Sequence, residues 1–165
     1  MIIKQQIIDS LRHENAVIKH LGGKVTPEMQ DWRPTPGQRS ILELLQYMTC
    51  MAEVPARFNV TGSWEHGEAL ELAAESVTIE NFPARMDAQM QRLEEILADV
   101  DEEEARTKPS AMPWGQPSTV GAGFMDMVLK CLVAYRMQLF LYLKQAGHSE
   151  LGPANCWVGV DVPAP

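Results

Sequence analysis

Cys131 and Tyr135 stand four positions apart within the most apolar segment of the chain. An i, i+4 pair projects from one helical face, so this thiol and phenol are expected to point the same way. A cysteine so placed can be a nucleophile as its thiolate, a soft metal ligand, or simply a small apolar filler. Tyr47 and Cys50 form a second pair beside the apolar stripe of an earlier segment. Cys50 could face Cys131 across the interior, with Tyr47 or Tyr135 supplying a hydroxyl donor. A nucleophilic Cys131 needs a base or cation nearby to lower its pKa. Lys130 and Arg136 are close in sequence but fall off its face, and none of the histidines at 13, 20, 66 and 148 is placed to serve. Those four form no HExxH or other ligand run. Two cysteines without histidine make a poor zinc or copper site unless Glu53 or water joins. The odd count of three cysteines, without paired spacing, reads as reduced thiols in a cytoplasm.

The elements that must position these residues follow from periodicity. Phe124, Met127, Val128, Cys131, Leu132, Tyr135, Leu139 and Tyr142 recur at spacings of three and four, predicting a last helix over 119–145. Ser118 or Thr119 can cap it and Gly147 can end it in a left-handed conformation. Ile3, Ile7, Leu11, Ile18 and Leu21 trace a first helix that Gly22 and Gly23 terminate, with His13 and His20 on its solvated side. Ser40 and Glu43 form a capping box that opens a second helix, whose buried face is Ile41, Leu44, Leu45, Met48, Met51 and Phe58. Pro55 should kink or end it near Val54. Residues 61–76 read as a loop with one short helical turn. Pro83 fixes the start of a third helix, which Met86, Met90, Leu93, Leu97 and Val100 stripe. The acidic run 101–104 is expected to end that helix in water. No segment alternates as a strand should. The four tryptophans, at 32, 64, 114 and 157, fall outside the helices and are expected to cover the bundle ends or line a mouth. The tail 151–165, with Pro153, Pro163 and Pro165, is expected to pack on the bundle as an extended segment through Cys156, Trp157, Val158 and Val160.

The sum is one all-α domain over 1–165: an up-down four-helix bundle with a long crossover connection and an extended C-terminal tail. A chain of 165 residues can bury a full core. The net charge of −8 argues against a surface built to neutralise phosphates, so no nucleic acid partner is expected. No stretch of about 18 apolar residues runs free of charge, and Lys4, Gln5 and Gln6 break any signal-peptide form. Neither membrane nor secretory leader is expected.

The stretch Trp32-Arg33-Pro34, then Pro36-Gly37 and Ser40-Ile41-Leu42-Glu43-Leu44-Leu45, resembles the entry into helix two of the DinB/YfiT-like superfamily. The run from Ala134 to Leu139, with Tyr142 and Leu143 after it, is similar to that superfamily's last helix. The resemblance implies a four-helix bundle, often dimeric, whose better-known members hold a divalent metal through three histidines. Several act as transferases of a low-molecular-weight thiol. Carried over position by position, the implied ligand positions hold Tyr47, Cys131 and Tyr135. A tyrosine binds metal only after losing a proton with a pKa near 10.

The expectation is therefore a DinB-like homodimer without metal or other cofactor, acting as a small-molecule-binding or interaction protein. In the plainest version Tyr47, Cys131 and Tyr135 fill the former metal cavity as core residues. The alternative is a thiol-transferase-like enzyme that uses the same cavity through Cys131, with Cys50 beside it, or through zinc or nickel.

Overall fold

The computed structural model describes residues 4–162. Ile3, Pro163 and Pro165 lie outside them. The first bundle helix is α1 (Lys4–Gly22) and the second is divided into α2 (Ile41–Met48) and α3 (Glu53–Thr61). The connection that follows holds α4 (Gly67–Ala74), and the third bundle helix is α5 (Phe82–Ala98). A short α6 (Glu102–Thr107) leads into strands β1 (Pro109–Ala111) and β2 (Pro117–Thr119). The fourth bundle helix runs through α7 (Val120–Gly123), a π-helical segment Phe124–Leu129, and α8 (Lys130–Ala146). α1 packs against both α5 and α8, while α3 packs against α5 and the π segment. Leu11, Ile18, Leu44, Met48, Phe82 and Phe124 are among the side chains this arrangement removes from water.

Local chemistry accounts for most boundaries. Ser40 and Glu43 make the reciprocal cap expected of them: the Glu43 N–H donates to Ser40 Oγ at 3.2 Å and the Ser40 N–H to Glu43 Oε2 at 2.6 Å. Pro83 sits in the first turn of α5, where its missing N–H costs nothing. Thr119 caps α7, and Gly147 ends α8 at a φ of +135°, positive but outside the usual left-handed basin. At the end of α1, Gly22 is required by a close approach. A Cβ there would lie 2.3 Å from Cε1 of the fully buried Phe82 ring.

Several expectations are corrected. The second helix breaks at Thr49–Ala52, ahead of Pro55, so Pro55 falls in the first turn of α3, where no N–H is needed. Buried Gln89 of α5 splices that break. Its Oε1 accepts from the N–H groups of Ala52 at 3.1 Å and Glu53 at 3.3 Å, and its Nε2 donates to the Met48 carbonyl at 2.9 Å. The 61–76 segment contains the two turns of α4 rather than one. The acidic run starts a helix instead of ending one, because Asp101 and Glu104 form a second capping box and Glu102 and Glu103 lie near the positive end of the α6 dipole. The connection to the fourth helix folds into a small antiparallel hairpin, with Ser110 opposite Ser118.

The first helix departs further from a one-sided stripe. Glu14 and Asn15 are buried along with Leu11 and Ile18. His13 is exposed, as expected of the solvated side, and His20 is half-buried; both make tail contacts, His13 Nε2 lying 2.8 Å from the Trp157 carbonyl and His20 Nε2 3.2 Å from Asn155 Nδ2. Both help hold the tail, which is not extended at its core. Residues Ala154–Val158 make a π-helical turn that buries Asn155 and Cys156 and leaves Trp157, Val158 and Val160 exposed. Arg136 anchors this turn. Its NH1 donates to the Cys156 carbonyl at 2.7 Å, its guanidinium lies 4.9 Å from the centre of the Trp157 ring, and its Nε lies 3.1 Å from Glu14 Oε2, out of hydrogen-bond alignment. Arg136 is thereby paired with a residue of the first helix.

Candidate functional site

A cavity of about 460 Å³ opens between α2–α3, α4, the hairpin and the fourth helix. Met51, Val54, Pro55, Pro113 and Met127 give it an apolar wall, and Tyr47 and Cys131 add a phenol and a thiol. Trp64, Glu68 and Glu71 complete it from the connection between the second and third bundle helices. Two irregularities shape this space. The break after Met48 lets α3 leave the line of α2, and the π segment inserts its wider turn just ahead of Cys131. The start of the fourth helix is held close to α3 by Asn59, whose Nδ2 donates to the Val120 carbonyl at 2.6 Å. Gly123 permits that approach, since a Cβ there would fall 2.1 Å from Asn59 Oδ1.

The structure brings Tyr47 and Tyr135 together, with ring centroids 5.1 Å apart in an edge-to-face arrangement. Cys131 lines the same cavity as Tyr47. Cys50 is not brought there: it is buried, and its Sγ donates to the Tyr47 carbonyl at 3.3 Å. Cys131 and Tyr135 are also less central than the sequence stripe implied. Both are half-buried, and Leu132 and Arg136 hold the buried centre of α8. Neighbouring Asp126 and Lys130 pair with each other at 2.5 Å on the exposed side, so neither lysine nor Arg136 serves Cys131.

Burial governs the ionisation of these groups. It pushes the Cys131 thiol above its ordinary pKa. Cys50 is pushed up to about 11, first by burial and then by the charges of Glu71 and Glu53. The Tyr47 phenol is raised first by burial and then by its hydrogen bond and charge interaction with Tyr135; the Arg39 guanidinium, 3.9 Å above the ring, opposes this only in part. At neutral pH the cavity therefore presents the Cys131 thiol and the Tyr47 phenol in neutral form. Glu53 is committed elsewhere: fully buried, it is clasped by Arg57, with Nε at 2.8 Å from Oε1, and by Arg92 through Oε2. None of the four histidines lines the cavity. Among the described residues no three His, Cys, Asp or Glu side chains converge as a metal site would require. A phenol and a thiol whose ionisation burial opposes, with no imidazole beside them, do not suit a divalent cation.

Sequence reasoning did not single out Glu68, Glu71 or Pro113 for this site, because a connection between helices gives no periodic signal. Trp64 was expected at a bundle end or mouth, and it does line this opening while stacking on Phe58 at 3.9 Å. Trp32 meets Tyr142 edge-to-face at 5.5 Å, whereas Trp114 and Trp157 stay largely exposed. Gln89 had a visible signature, as a polar residue three after Met86 and four before Leu93 on their stripe.

No family model matches the sequence, and no curated protein matches it. Solved structures do. A DinB-like protein from Bacillus subtilis is 17% identical, with a TM-score of 0.66 over 89% of this chain and 96% of its own. A protein from Exiguobacterium sibiricum assigned to the DinB family is 22% identical, with a TM-score of 0.69 over 93% of this chain and 98% of its own. The chain has the DinB-like all-α fold. No helix of the described residues is long and apolar enough to cross a membrane.

Proposed function

We propose that this DinB-like bundle is a metal-independent small-molecule-binding protein whose ligand enters the cavity lined by Tyr47, Met51, Trp64, Met127 and Cys131. The observation that carries the reading is the cavity itself: about 460 Å³, mostly apolar, with a few polar groups at one side. That is the usual make-up of a site for a small organic ligand. Binding is favoured over thiol transfer because burial raises the Cys131 pKa, none of the histidines lines the cavity, and Lys130 is paired with Asp126. A direct test follows the emission of Trp64, with Trp32, Trp114 and Trp157 replaced by Phe, during titration with a neutral aromatic alcohol. Saturable binding that Cys131→Phe abolishes by filling the cavity is the expected result. Stoichiometric zinc or nickel in protein purified without a histidine tag would refute the metal-free reading.

Association as a homodimer belongs to the same proposal. Val133 and Leu141 are exposed along one side of α8, beside half-buried Met137. Covering such a strip is a common use of an outward helix face. Light scattering that returned the 18.5 kDa mass of a single chain at micromolar concentration would remove the dimer.

A further inference from the structure

We infer that the ligand of this cavity is an amphiphilic organic cation, with an aromatic or short alkyl body and an ammonium head. The inference rests on the binding reading above and adds the sign of the ligand's charge. Glu68 and Glu71 stand three residues apart on α4, both exposed and both lining the cavity. Neither takes part in an ion pair or hydrogen bond among the described residues, although Arg and Lys side chains elsewhere are widely paired. Beside them Trp64 lies nearly parallel to Phe58, at 11°, so Phe58 holds the indole in place while 45% of the residue stays exposed. An immobilised indole next to two unpaired carboxylates is a favourable place for an ammonium group, through the ring quadrupole and through charge. Met51, Val54, Pro55 and Met127 supply the apolar wall for the body of such a molecule.

Other charges nearby agree with this assignment. The Arg39 guanidinium stacks on Tyr47 at 3.9 Å, so one aromatic ring of the site already carries a cation, while Trp64 carries none. Arg57 is committed to Glu53. An anionic head would meet Glu68 and Glu71 directly, and a neutral one could gain a hydrogen bond from them but no charge attraction. The chain's net charge of −8 further favours the approach of cations.

Three probes that share one body separate the possibilities: 4-phenylbutyltrimethylammonium, 4-phenylbutanol and 4-phenylbutanoate. Each is titrated into the full chain at pH 7.5, with calorimetry and tryptophan emission as readouts. The ammonium is expected to bind about tenfold tighter than the alcohol, and the carboxylate more weakly than either. In the E68Q/E71Q variant the ammonium should lose most of its advantage over the alcohol, keeping only the part owed to the Trp64 ring. Both glutamates are exposed, so the double variant should fold normally. Equal binding of ammonium and alcohol, or a preference undiminished in E68Q/E71Q, overturns the cation inference and leaves the binding reading standing. Failure of all three probes to bind overturns both.

Discussion

Replacing Gln89 with Leu should destabilise the protein out of proportion to the small change in side-chain volume. Gln89 is 1% exposed and makes three hydrogen bonds to backbone groups at the break in the second helix. Leucine would strand the N–H groups of Ala52 and Glu53 and the carbonyl of Met48, in a region where Ala52 and Glu53 are fully buried. A buried polar group left unpaired costs about 1–3 kcal/mol. The two N–H groups share one acceptor and can adjust slightly, so a total of about 3 kcal/mol is the reasonable sum. For a chain of this size that corresponds to a fall in Tm of about 6–12 °C. Urea denaturation followed by circular dichroism gives the free energy, and a thermal scan gives the Tm. Because the break sets the course of α3, Gln89→Leu should also weaken ligand binding in the cavity. A Gln89→Leu protein with an unchanged urea midpoint would refute the splice.

Arg136→Met should cost about 3 kcal/mol, because it leaves the Glu14 carboxylate buried without its cation. It should also loosen the tail, read as a shift in Trp157 emission, and Glu14→Gln added to it should recover part of the loss. Gly22→Ala forces a methyl group against the Phe82 ring and should cost about 1–3 kcal/mol in urea denaturation, whereas Gly37→Ala, with open space around it, should cost far less. Alkylation of Cys131 by iodoacetamide should be slow at pH 7 and rise only as pH passes above the ordinary thiol value of 9.0, since burial raises its pKa and only the thiolate reacts. A midpoint below 8 would mean an activated thiolate and would revive thiol transfer. Cys50, pushed up to about 11, should react later than Cys131, and so should Cys156 because it is buried while Cys131 is half-exposed.

Much of the architecture was legible because it is local. The Ser40–Glu43 cap, the Thr119 cap, Pro83 in a first turn and Gly147 at a helix end act over three or four residues, and the structure contains each of them. The apolar stripes of the four bundle helices are likewise short-range patterns, set by the turn of the helix itself. Even the interruptions could be seen: Glu14 follows Leu11 by three, Gln89 precedes Leu93 by four, and Arg136 follows Leu132 by four.

What each interruption pairs with was decided only in three dimensions. Glu14 meets Arg136, Gln89 meets Met48 and Ala52, Glu53 meets Arg92, and Asn59 meets Val120, all across long stretches of chain. Such partners leave no trace in periodicity, because a hydrogen bond between helices depends on how they cross and not on either helix alone. The cavity is a product of the same kind. Its walls come from a helix break that Gln89 stabilises, a π turn ahead of Cys131 and an irregular connection carrying Trp64, Glu68 and Glu71. Sequence determined where the four bundle helices would lie and most of the residues they bury. Tertiary packing determined where those helices deviate from regularity, and the space for a ligand lies at those deviations.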